Sequence, residues 1–477
     1  MRWPGTEVVV AGIGVSGYAA AQALLDRGAR VTVLDERDDD QNAERAARLE
    51  RRGASVRLGA DAAAAWSDDA ELVVASPGWP PRAPLLVQAA RRGVEVWSEV
   101  ELAWRLRGPD PAPWLCVTGT NGKTTTVTML ASMLGAAGLR TAAIGNVGTP
   151  VTEAVVSAER FDVLAVELSS FQLHRTASLS ASAAAILNLA PDHLDWYAGS
   201  LEVYTADKAS IYRNAQLACV YNADDAVIER LAGAADVAPG CRLLGFTTGP
   251  PVRGVLGIDG DSLVDAAFAG GGGEKLAQLG DVVPAAPHNI ANALAAAALA
   301  RAHGVPASAV GAGLRQYRPG AHRITEVATL DGVRYVDDSK ATNPHAALAS
   351  LRAYDAVVWV AGGLAKGADF TDLVRATRDR LRAVVLLGAD RATIADAMAR
   401  HAPDVPVVVV DRRETGDVMD HVVEAAAAMS RPGDTVLLAP GCASQDMFRD
   451  YGARGDAFTA AVRRRQAGHR PGEDVSR

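Results

Sequence analysis

Cysteine is rare in this chain of 477 residues: Cys116, Cys219, Cys241 and Cys442 stand singly, with no C-x-x-C pair. That spacing argues against a zinc site and a disulfide framework and fits a reducing compartment. Positive charge is not in excess either. Lys and Arg number 48 against 56 Asp and Glu, a net charge of -8. Nucleic-acid binders carry a basic face, so no nucleic-acid partner is expected. No apolar run approaches the roughly 18 uninterrupted residues needed to span a bilayer. The opening stretch, Met1-Arg2-Trp3-Pro4-Gly5-Thr6-Glu7, leads straight into an apolar strand pattern. It lacks the basic start and long apolar core of a secretory leader. These absences give the expectation of a cytoplasmic protein. Lysine is also scarce beside arginine, which reads as compositional bias and not as a functional signal.

What is present is core material. Hydrophobic residues make up 49% of the chain. Short Val/Ile/Leu runs alternate with Ala-rich helical stretches throughout. Examples are Val8 to Ala11, Val31 to Leu34, Leu72 to Ala75, Leu115 to Thr118, Val163 to Val166, Val357 to Ala361, Val384 to Leu387 and Val436 to Ala439. Near-continuous apolar runs of that length suit strands covered on both faces. Their alternation with helices predicts an α/β protein with mainly parallel sheets. Two breaks, Gly108-Pro109-Asp110-Pro111-Ala112-Pro113 and Arg318-Pro319-Gly320, divide it into 1–107, 108–319 and 320–477. Three segments fit a prior of roughly 150 residues per domain. Gly270 to Gly273 reads as a surface loop, and the polar tail after about Arg465 as frayed.

The second segment opens with Leu115-Cys116-Val117-Thr118-Gly119-Thr120-Asn121-Gly122-Lys123-Thr124-Thr125-Thr126. A strand, a Gly-rich turn and a helix start in that order make a phosphate cradle. Backbone N–H groups face the phosphate oxygens, and the helix dipole favours the anion. Lys123 would reach the terminal phosphates, and a Thr124 or Thr125 hydroxyl would ligate Mg²⁺. Val117 stands where the longer phosphate-loop pattern wants Gly, so this is the shorter G-x-x-G-K-[ST] form. In the first segment Gly12-Ile13-Gly14-Val15-Ser16-Gly17 follows a strand, and Asp35 ends the next. That spacing matches a dinucleotide fingerprint, or else a tight turn without ligand.

Further candidates follow strands or open helices. Glu167, directly after Val163 to Val166, is placed to hold Mg²⁺ opposite the phosphate loop. His193, in Asn188-Leu189-Ala190-Pro191-Asp192-His193-Leu194-Asp195, is weak evidence alone. Lys208 lies in a helical stretch, Thr205 to Ile211, and by itself reads as solvated. His288-Asn289-Ile290-Ala291-Asn292 opens an Ala-rich helix, where the Asn residues read an adenine edge or, by default, cap the helix. In the third segment, Asp337 to Asn343, Gly362 to Phe370 and Ala439 to Phe448 all follow apolar strands. Ligands gather at the carboxyl ends of strands in doubly wound sheets. Lys340, Thr342, Lys366 and Ser444 are therefore expected on one edge, where two cations and two hydroxyls suit a small dicarboxylate.

These motifs together resemble the Mur ligases over essentially the whole chain. The landmarks are the Gly119-to-Thr125 loop, Asp192-His193-Leu194-Asp195, the His288-to-Asn292 helix start and Gly320-Ala321-His322-Arg323. Within the family, Val336 to Asn343, Lys366-Gly367-Ala368-Asp369-Phe370 and Ala439 to Phe448 look like the D-glutamate-adding branch. The Asn-Pro-Arg-type motif of the diaminopimelate- or lysine-adding branch is absent. Folylpolyglutamate synthases share the ATPase core but lack a Rossmann-like first domain. The resemblance implies a UDP-binding Rossmann-like domain, a central ATPase domain and a C-terminal Rossmann-like domain that binds the amino acid. It implies a cytoplasmic, monomeric ligase that uses ATP and Mg²⁺ to add D-glutamate to UDP-N-acetylmuramoyl-L-alanine through an acyl phosphate. That places it in peptidoglycan synthesis, hence in cell-wall biogenesis, cell shape and division.

Carried over residue by residue, Gly119 to Thr126 would bind ATP, Lys123 holding phosphate and Thr124 phosphate and Mg²⁺. Glu167 and His193 match the ligands of a second Mg²⁺, and Lys208 a lysine that the family carbamylates. Asn146 matches a contact to the muramoyl substrate. Asn292, Arg323 and Asp338 match the adenosine and phosphate side, and Val15, Ser16, Asp35, Arg37 and Gly78 the uridine-diphosphate side. Thr342, Lys366, Ser444 and Tyr451 match the D-glutamate pocket. Ala439, Gly441 and Tyr451 depart from an expected Ser, Ala and Phe, which bears on selectivity more than on reaction type. Two rivals compete: another amino-acid-adding Mur ligase, and a nicotinamide-dependent oxidoreductase resting on Gly12 to Gly17 with Asp35. A non-catalytic nucleotide-binding module would leave His193 and Lys208 dispensable.

Overall fold

The computed structural model describes residues 2–62, 66, 69–268, 273–411 and 418–468. Five parallel strands form the first sheet: β1 (Glu7–Ala11), β2 (Arg30–Asp35), β3 (Ser55–Leu58), β4 (Leu72–Ala75) and β5 (Glu95–Ser98), in the order β3-β2-β1-β4-β5. The order reverses at β1, which puts a switch point beside the Gly12–Gly17 turn.

The second sheet has nine strands. They are β6 (Trp114–Thr118), β7 (Ala143–Gly145), β8 (Leu164–Glu167), β9 (Ala183–Ile186), β10 (Ala218–Asn222), β11 (Arg242–Phe246), β12 (Val255–Asp259), β13 (Ser262–Asp265) and β14 (Glu274–Gln278). Their order is β14-β13-β12-β11-β10-β9-β6-β8-β7, parallel except for the antiparallel pairs β12–β13 and β13–β14. The third sheet is β15 (Thr325–Leu330), β16 (Val333–Asp337), β17 (Val357–Gly362), β18 (Leu381–Leu387), β19 (Val407–Val409) and β20 (Thr435–Leu438). Its order is β15-β16-β20-β17-β18-β19, and only β15 runs antiparallel to its neighbour.

The apolar runs become strands because both faces are covered. In β6, Leu115 and Val117 enter one hydrophobic cluster while Trp114 and Cys116 enter another on the opposite face. β1 divides the same way, Val8 and Val10 to one side, Val9 and Ala11 to the other. In β17, Val357, Trp359 and Ala361 face away from Val358 and Val360.

The chain divides into two compact units. The first holds residues up to 285 with 289–317, the second 286–288 with the residues from 318. Within the first, the helix Glu99–Leu106 fastens the five-stranded sheet to the nine-stranded one. Ser98 donates its amide to Arg175 O (3.0 Å), and its hydroxyl meets that of Thr176 (2.7 Å). The Glu101 carboxylate accepts from the amides of Ala177 and Ser178 (2.9 Å each), from the Ser178 hydroxyl and from Arg105 (2.6 Å each). Burial alone would raise that carboxyl; the hydrogen bonds from Ser178, Arg105 and Ala177 outweigh it and hold it below the ordinary range.

The last helix, Tyr451–Gly468, packs Phe458, Ala461 and Val462 into the core, and residues 466–468 at its end are exposed. Residues 469–477 and most of the Gly270–Gly273 run lie outside the described residues.

Candidate active site

The turn after β6 is shaped by two glycines. Gly122 has φ +82, and a Cβ there would sit 2.3 Å from Asn292 Oδ1. Gly119 has φ +154 and faces the Leu187 side chain at 3.1 Å. Any larger residue would push the loop off its neighbours. Gly122 also begins the helix Lys123–Ala136 without a side-chain cap, so the first amides of that helix are left for an anion. The helix is pinned from below by buried Val127, Leu130, Met133 and Leu134. Asn188 clamps the loop on its far side: its Oδ1 accepts from Asn121 N (2.8 Å) and its Nδ2 donates to Asn121 O (3.0 Å). The Thr120 hydroxyl meets Tyr204 OH (2.7 Å) and accepts from Ala190 N (3.0 Å).

Two lysines converge on this turn. Lys123 Nζ donates to Gly119 O (2.9 Å) and Thr120 O (2.8 Å). Lys208 Nζ donates to Gly119 O (2.8 Å) from the helix Leu201–Ala209. The solvated reading of Lys208 is overturned: its side chain is 2% exposed. Burial, then the charge of Lys123, holds its amine well below the ordinary lysine range against Asp192, Glu167 and Asp207.

Glu167 ends β8, as predicted, and is buried. Its Oε1 accepts from Asn146 Nδ2 (2.9 Å), while its Oε2 is buried without a partner. An orphaned buried carboxylate oxygen, electrostatically coupled to Lys208, is what a hard cation would satisfy. His193 has a strained φ of +53, and its ring meets the edge of Phe171 at 5.0 Å. Among the described residues no three His, Cys, Asp or Glu side chains gather into a metal cage. The expected set holds only Glu167 and His193 of those types. Thr124 is half-buried on the first helical turn and Thr125 is nearly buried. Thr126 is fully buried, with its amide spent on Gly122 O (2.9 Å).

Asn289 and Asn292 do not cap their helix, against the default reading. They lie inside Pro287–Ala302, bonded to each other (3.3 Å), and Asn292 leans on Gly122.

In the first domain, Gly17 lets the helix Val15–Leu25 cross the turn, since a Cβ there would lie 1.9 Å from Gly12 O. Asp35 ends β2 with both oxygens committed: Oδ2 accepts from Ile13 N (2.8 Å), Oδ1 from Arg37 N (2.9 Å). Each oxygen can accept a second bond, so Asp35 builds the turn and keeps acceptor capacity for a ligand hydroxyl. Val15 and Gly78 are exposed and Ser16 half-buried, so they rim the turn from outside. The loop carrying Asn146 leads into the helix Val151–Val156, where Glu99 Oε1 accepts from Thr152 N (2.5 Å) and Thr152 Oγ1 donates to Glu99 O (3.1 Å).

The second unit brings its three polar loops to the carboxyl edge of neighbouring strands β16, β20 and β17. Gly441 N bonds Ala341 O (2.8 Å), Gly362 N bonds Pro440 O (2.9 Å), and Leu364 and Ala443 exchange both bonds (2.9 and 3.0 Å). Thr342, Ser444 and Lys366 therefore sit on one edge. Lys366 is exposed at a left-handed φ of +51, Ser444 is buried, and Tyr451 lies under Lys340 Nζ at 4.0 Å from the ring centre. Asp338 accepts from the Ser350 hydroxyl and Ile324 N, and burial pushes its carboxyl up to about 7 although Ser350, Ile324 and Arg323 oppose it.

Sequence reasoning missed Arg454. It is 1% exposed and donates to Ser339 Oγ (2.9 Å), Ser339 O (2.9 Å) and Cys442 O (3.1 Å), tying two of the loops together. Nothing local distinguishes it from the exposed arginines of the same helix.

A phosphate cradle with an uncapped helix start, two lysines and an orphaned carboxylate, in a chain with two further α/β sheets, defines a nucleotide-dependent α/β enzyme. Family models cover most of the chain: the MurD-like N-terminal domain of Mur ligases at residues 6–98, the Mur ligase middle domain at 117–300 and the Mur ligase glutamate ligase domain at 322–442. The chain belongs to the Mur ligase family. It is similar to the UDP-N-acetylmuramoylalanine--D-glutamate ligase of Streptomyces avermitilis, 59% identical over 97% of this chain and 99% of that one. The protein of the same name from Frankia casuarinae is 56% identical over 98% and 96%. Among solved structures, the UDP-N-acetylmuramate-alanine ligase of Thermotoga maritima matches with a TM-score of 0.58 at 20% identity, over 97% of this chain and 99% of that one. The MurF ligase of the same organism, in complex with ADP, matches with a TM-score of 0.55 at 16% identity over 91% and 96%. These structural likenesses establish the shared fold.

Proposed function

We propose that the protein joins D-glutamate to UDP-N-acetylmuramoyl-L-alanine with hydrolysis of ATP to ADP and phosphate, in the cytoplasm, as a monomeric enzyme of peptidoglycan precursor synthesis. The observation that carries the reaction type is the convergence of Lys123 and Lys208 on the phosphate turn beside the unpartnered Glu167 oxygen. The names of relatives more than half identical over nearly the whole chain support the substrates. The four unpaired cysteines are in keeping with a reducing cytoplasm. The domains in this reading are 1–107, 108–319 and 320–477.

A carboxylate is a poor electrophile until it carries a leaving group. Its oxygen attacks the terminal phosphorus of ATP, giving an acyl phosphate and ADP. The amine of D-glutamate then adds to the acyl carbon, and phosphate leaves as the tetrahedral centre collapses to the amide. The amides of Gly122 to Thr125 and the Lys123 ammonium are suited to the phosphates, where preorganised donors stabilise moving charge. Mg²⁺ would neutralise phosphate oxygens, held by Thr124, Glu167, His193 and Lys208 as its carbamate. Two features support the carbamate: Lys208 is buried, and its amine is held towards the neutral form that reacts with CO₂. Asn146 orients the muramoyl end. Val15, Ser16, Asp35, Arg37 and Gly78 serve the uridine-diphosphate side. Asn292, Arg323 and Asp338 serve the adenosine side, and Thr342, Lys366, Ser444 and Tyr451 the D-glutamate pocket.

The test is phosphate release with UDP-N-acetylmuramoyl-L-alanine present, comparing D-glutamate, L-glutamate, meso-diaminopimelate and D-alanine. Release should need both substrates and favour D-glutamate. Equal release without amino acid, or with diaminopimelate preferred, would sink the reading.

A further inference from the structure

Three loops of the second unit are laced into a closed ring around the backbone that carries Lys366. Asp390, in the turn after β18, holds the Lys366 loop at two points. Its amide donates to Gly363 O (3.0 Å), and its carboxylate Oδ2 accepts from Ala365 N (2.8 Å). On the other side Leu364 exchanges its backbone bonds with Ala443, next to Ser444. Asp446 closes the ring, its Oδ2 accepting from Ala389 N (2.8 Å), one residue before Asp390. There is no slack where these strands of chain cross: a Cβ on Gly388 would lie 2.5 Å from Gly363 N and 2.7 Å from Asp446 Oδ2.

Lys366 follows at once, in the left-handed region with φ +51, and Gly367 after it at φ +77. A non-glycine residue keeps that conformation only where its surroundings impose it. Ala365 is the residue at which they do so, since its amide is fixed by Asp390 and its carbonyl accepts from Ala368 N (3.0 Å) to close the turn. Lys366 itself is exposed, with four rotatable bonds, so the direction of its ammonium depends on where the backbone points it.

We propose that Asp390 is a positioning residue for the amino-acid pocket: through the Ala365 amide it holds the left-handed turn that aims Lys366 at the carboxylate of the incoming amino acid. The inference rests on the reading above that Lys366 binds that carboxylate. A charged acceptor on a backbone amide is among the stronger hydrogen bonds, and small misplacements of a binding group weaken it steeply.

The experiment compares full-length wild type, Asp390→Ala, Asp390→Asn and Lys366→Ala in coupled phosphate-release assays, titrating each of the three substrates in turn. Asp390→Ala should raise the KM for D-glutamate about tenfold and leave the KM for ATP and for the UDP-substrate little changed. Asp390→Asn keeps an oxygen acceptor for Ala365 N and should recover most of the loss. If Asp390→Ala does not fold, Asp390→Glu, which displaces the carboxylate by one methylene, takes its place with the same expected pattern. Lys366→Ala raising the glutamate KM while Asp390→Ala or Asp390→Glu leaves it unchanged overturns this inference alone. So does a parallel rise in all three KM values, or no recovery in Asp390→Asn. If Lys366→Ala itself leaves the glutamate KM unchanged, the pocket reading falls and this inference with it.

Discussion

The side-chain nitrogens of Lys123 and Lys208 share one acceptor, the carbonyl of Gly119, at 2.9 and 2.8 Å. Two like charges on one carbonyl would repel, and Lys208 is sealed from solvent, so its amine is held towards the neutral form. The arrangement is eased if Lys208 stops being a cation.

Lys208→Ala should therefore be nearly inactive yet folded, with turnover partly restored by short carboxylic acids that occupy the vacated site. Oxygen donors suit Mg²⁺ where an ammonium would repel it. Exhaustive CO₂ removal should slow the wild-type enzyme as well. Normal turnover in Lys208→Ala, with no response to carboxylic acids, would take Lys208 out of the metal site.

Lys123→Ala tests the phosphate turn. One preorganised donor to a moving phosphoryl group is worth on the order of 10²–10³ in rate, and turnover should fall by that much. The thermal midpoint is measured alongside, because Lys123 also ties down its own loop through Gly119 O and Thr120 O. Half the wild-type rate in the variant would mean that the loop serves another ligand.

Glu99 should give the protein a pH signature. It is 1% exposed, its Oε2 lacks a partner, and burial raises its carboxyl from 4.5 to about 7, against the Thr152 hydrogen bonds. A carboxyl with a raised folded-state pKa binds its proton more tightly when folded. Its contribution is thus most favourable below the unfolded value and declines as pH rises through about 7. At 1.36 kcal/mol per pH unit the change is on the order of 3 kcal/mol. Glu99→Gln removes it, so the variant should gain on wild type in thermal midpoint between about pH 5 and pH 8. Parallel pH profiles would show that Glu99 is solvated in solution.

Arg454→Met should loosen the second unit. It strands the buried acceptors Ser339 O and Cys442 O, while the Ser339 hydroxyl keeps its bond to Tyr451 O, and each unsatisfied buried group costs about 1–3 kcal/mol. The expected outcome is a lower thermal midpoint, faster proteolysis after β16 and β20, and a weakened response to D-glutamate. An unchanged midpoint would show that water replaces the guanidinium.

The architecture was legible early because its signals are local. Strands such as Val8 to Ala11 and Val357 to Ala361 read correctly within a residue, since a run apolar on both faces has few other ways to be buried. The phosphate turn was legible for the same reason: Gly119, Gly122 and Lys123 have to be adjacent in sequence to act together. Asp35 at the end of β2 and Glu167 at the end of β8 also fell where spacing put them.

Partnership across the chain was not legible. Lys208 looked solvated because its helix carries Glu202 and Asp207 as a surface helix would, yet tertiary packing seals it against Gly119, 89 residues away. Asn292 looked like a cap and instead leans on Gly122. Arg454 bonds to Ser339 across 115 residues, and Asp390 reaches Ala365 across 25. Sequence alone determined the three α/β layers, the phosphate turn and the strand ends where ligands gather, because hydrophobic period and turn chemistry act over a few residues. Which polar side chains are buried, and which backbone groups they hold, was decided only by tertiary structure: a hydrogen bond depends on distance in space and leaves no mark on the spacing of residues along the chain.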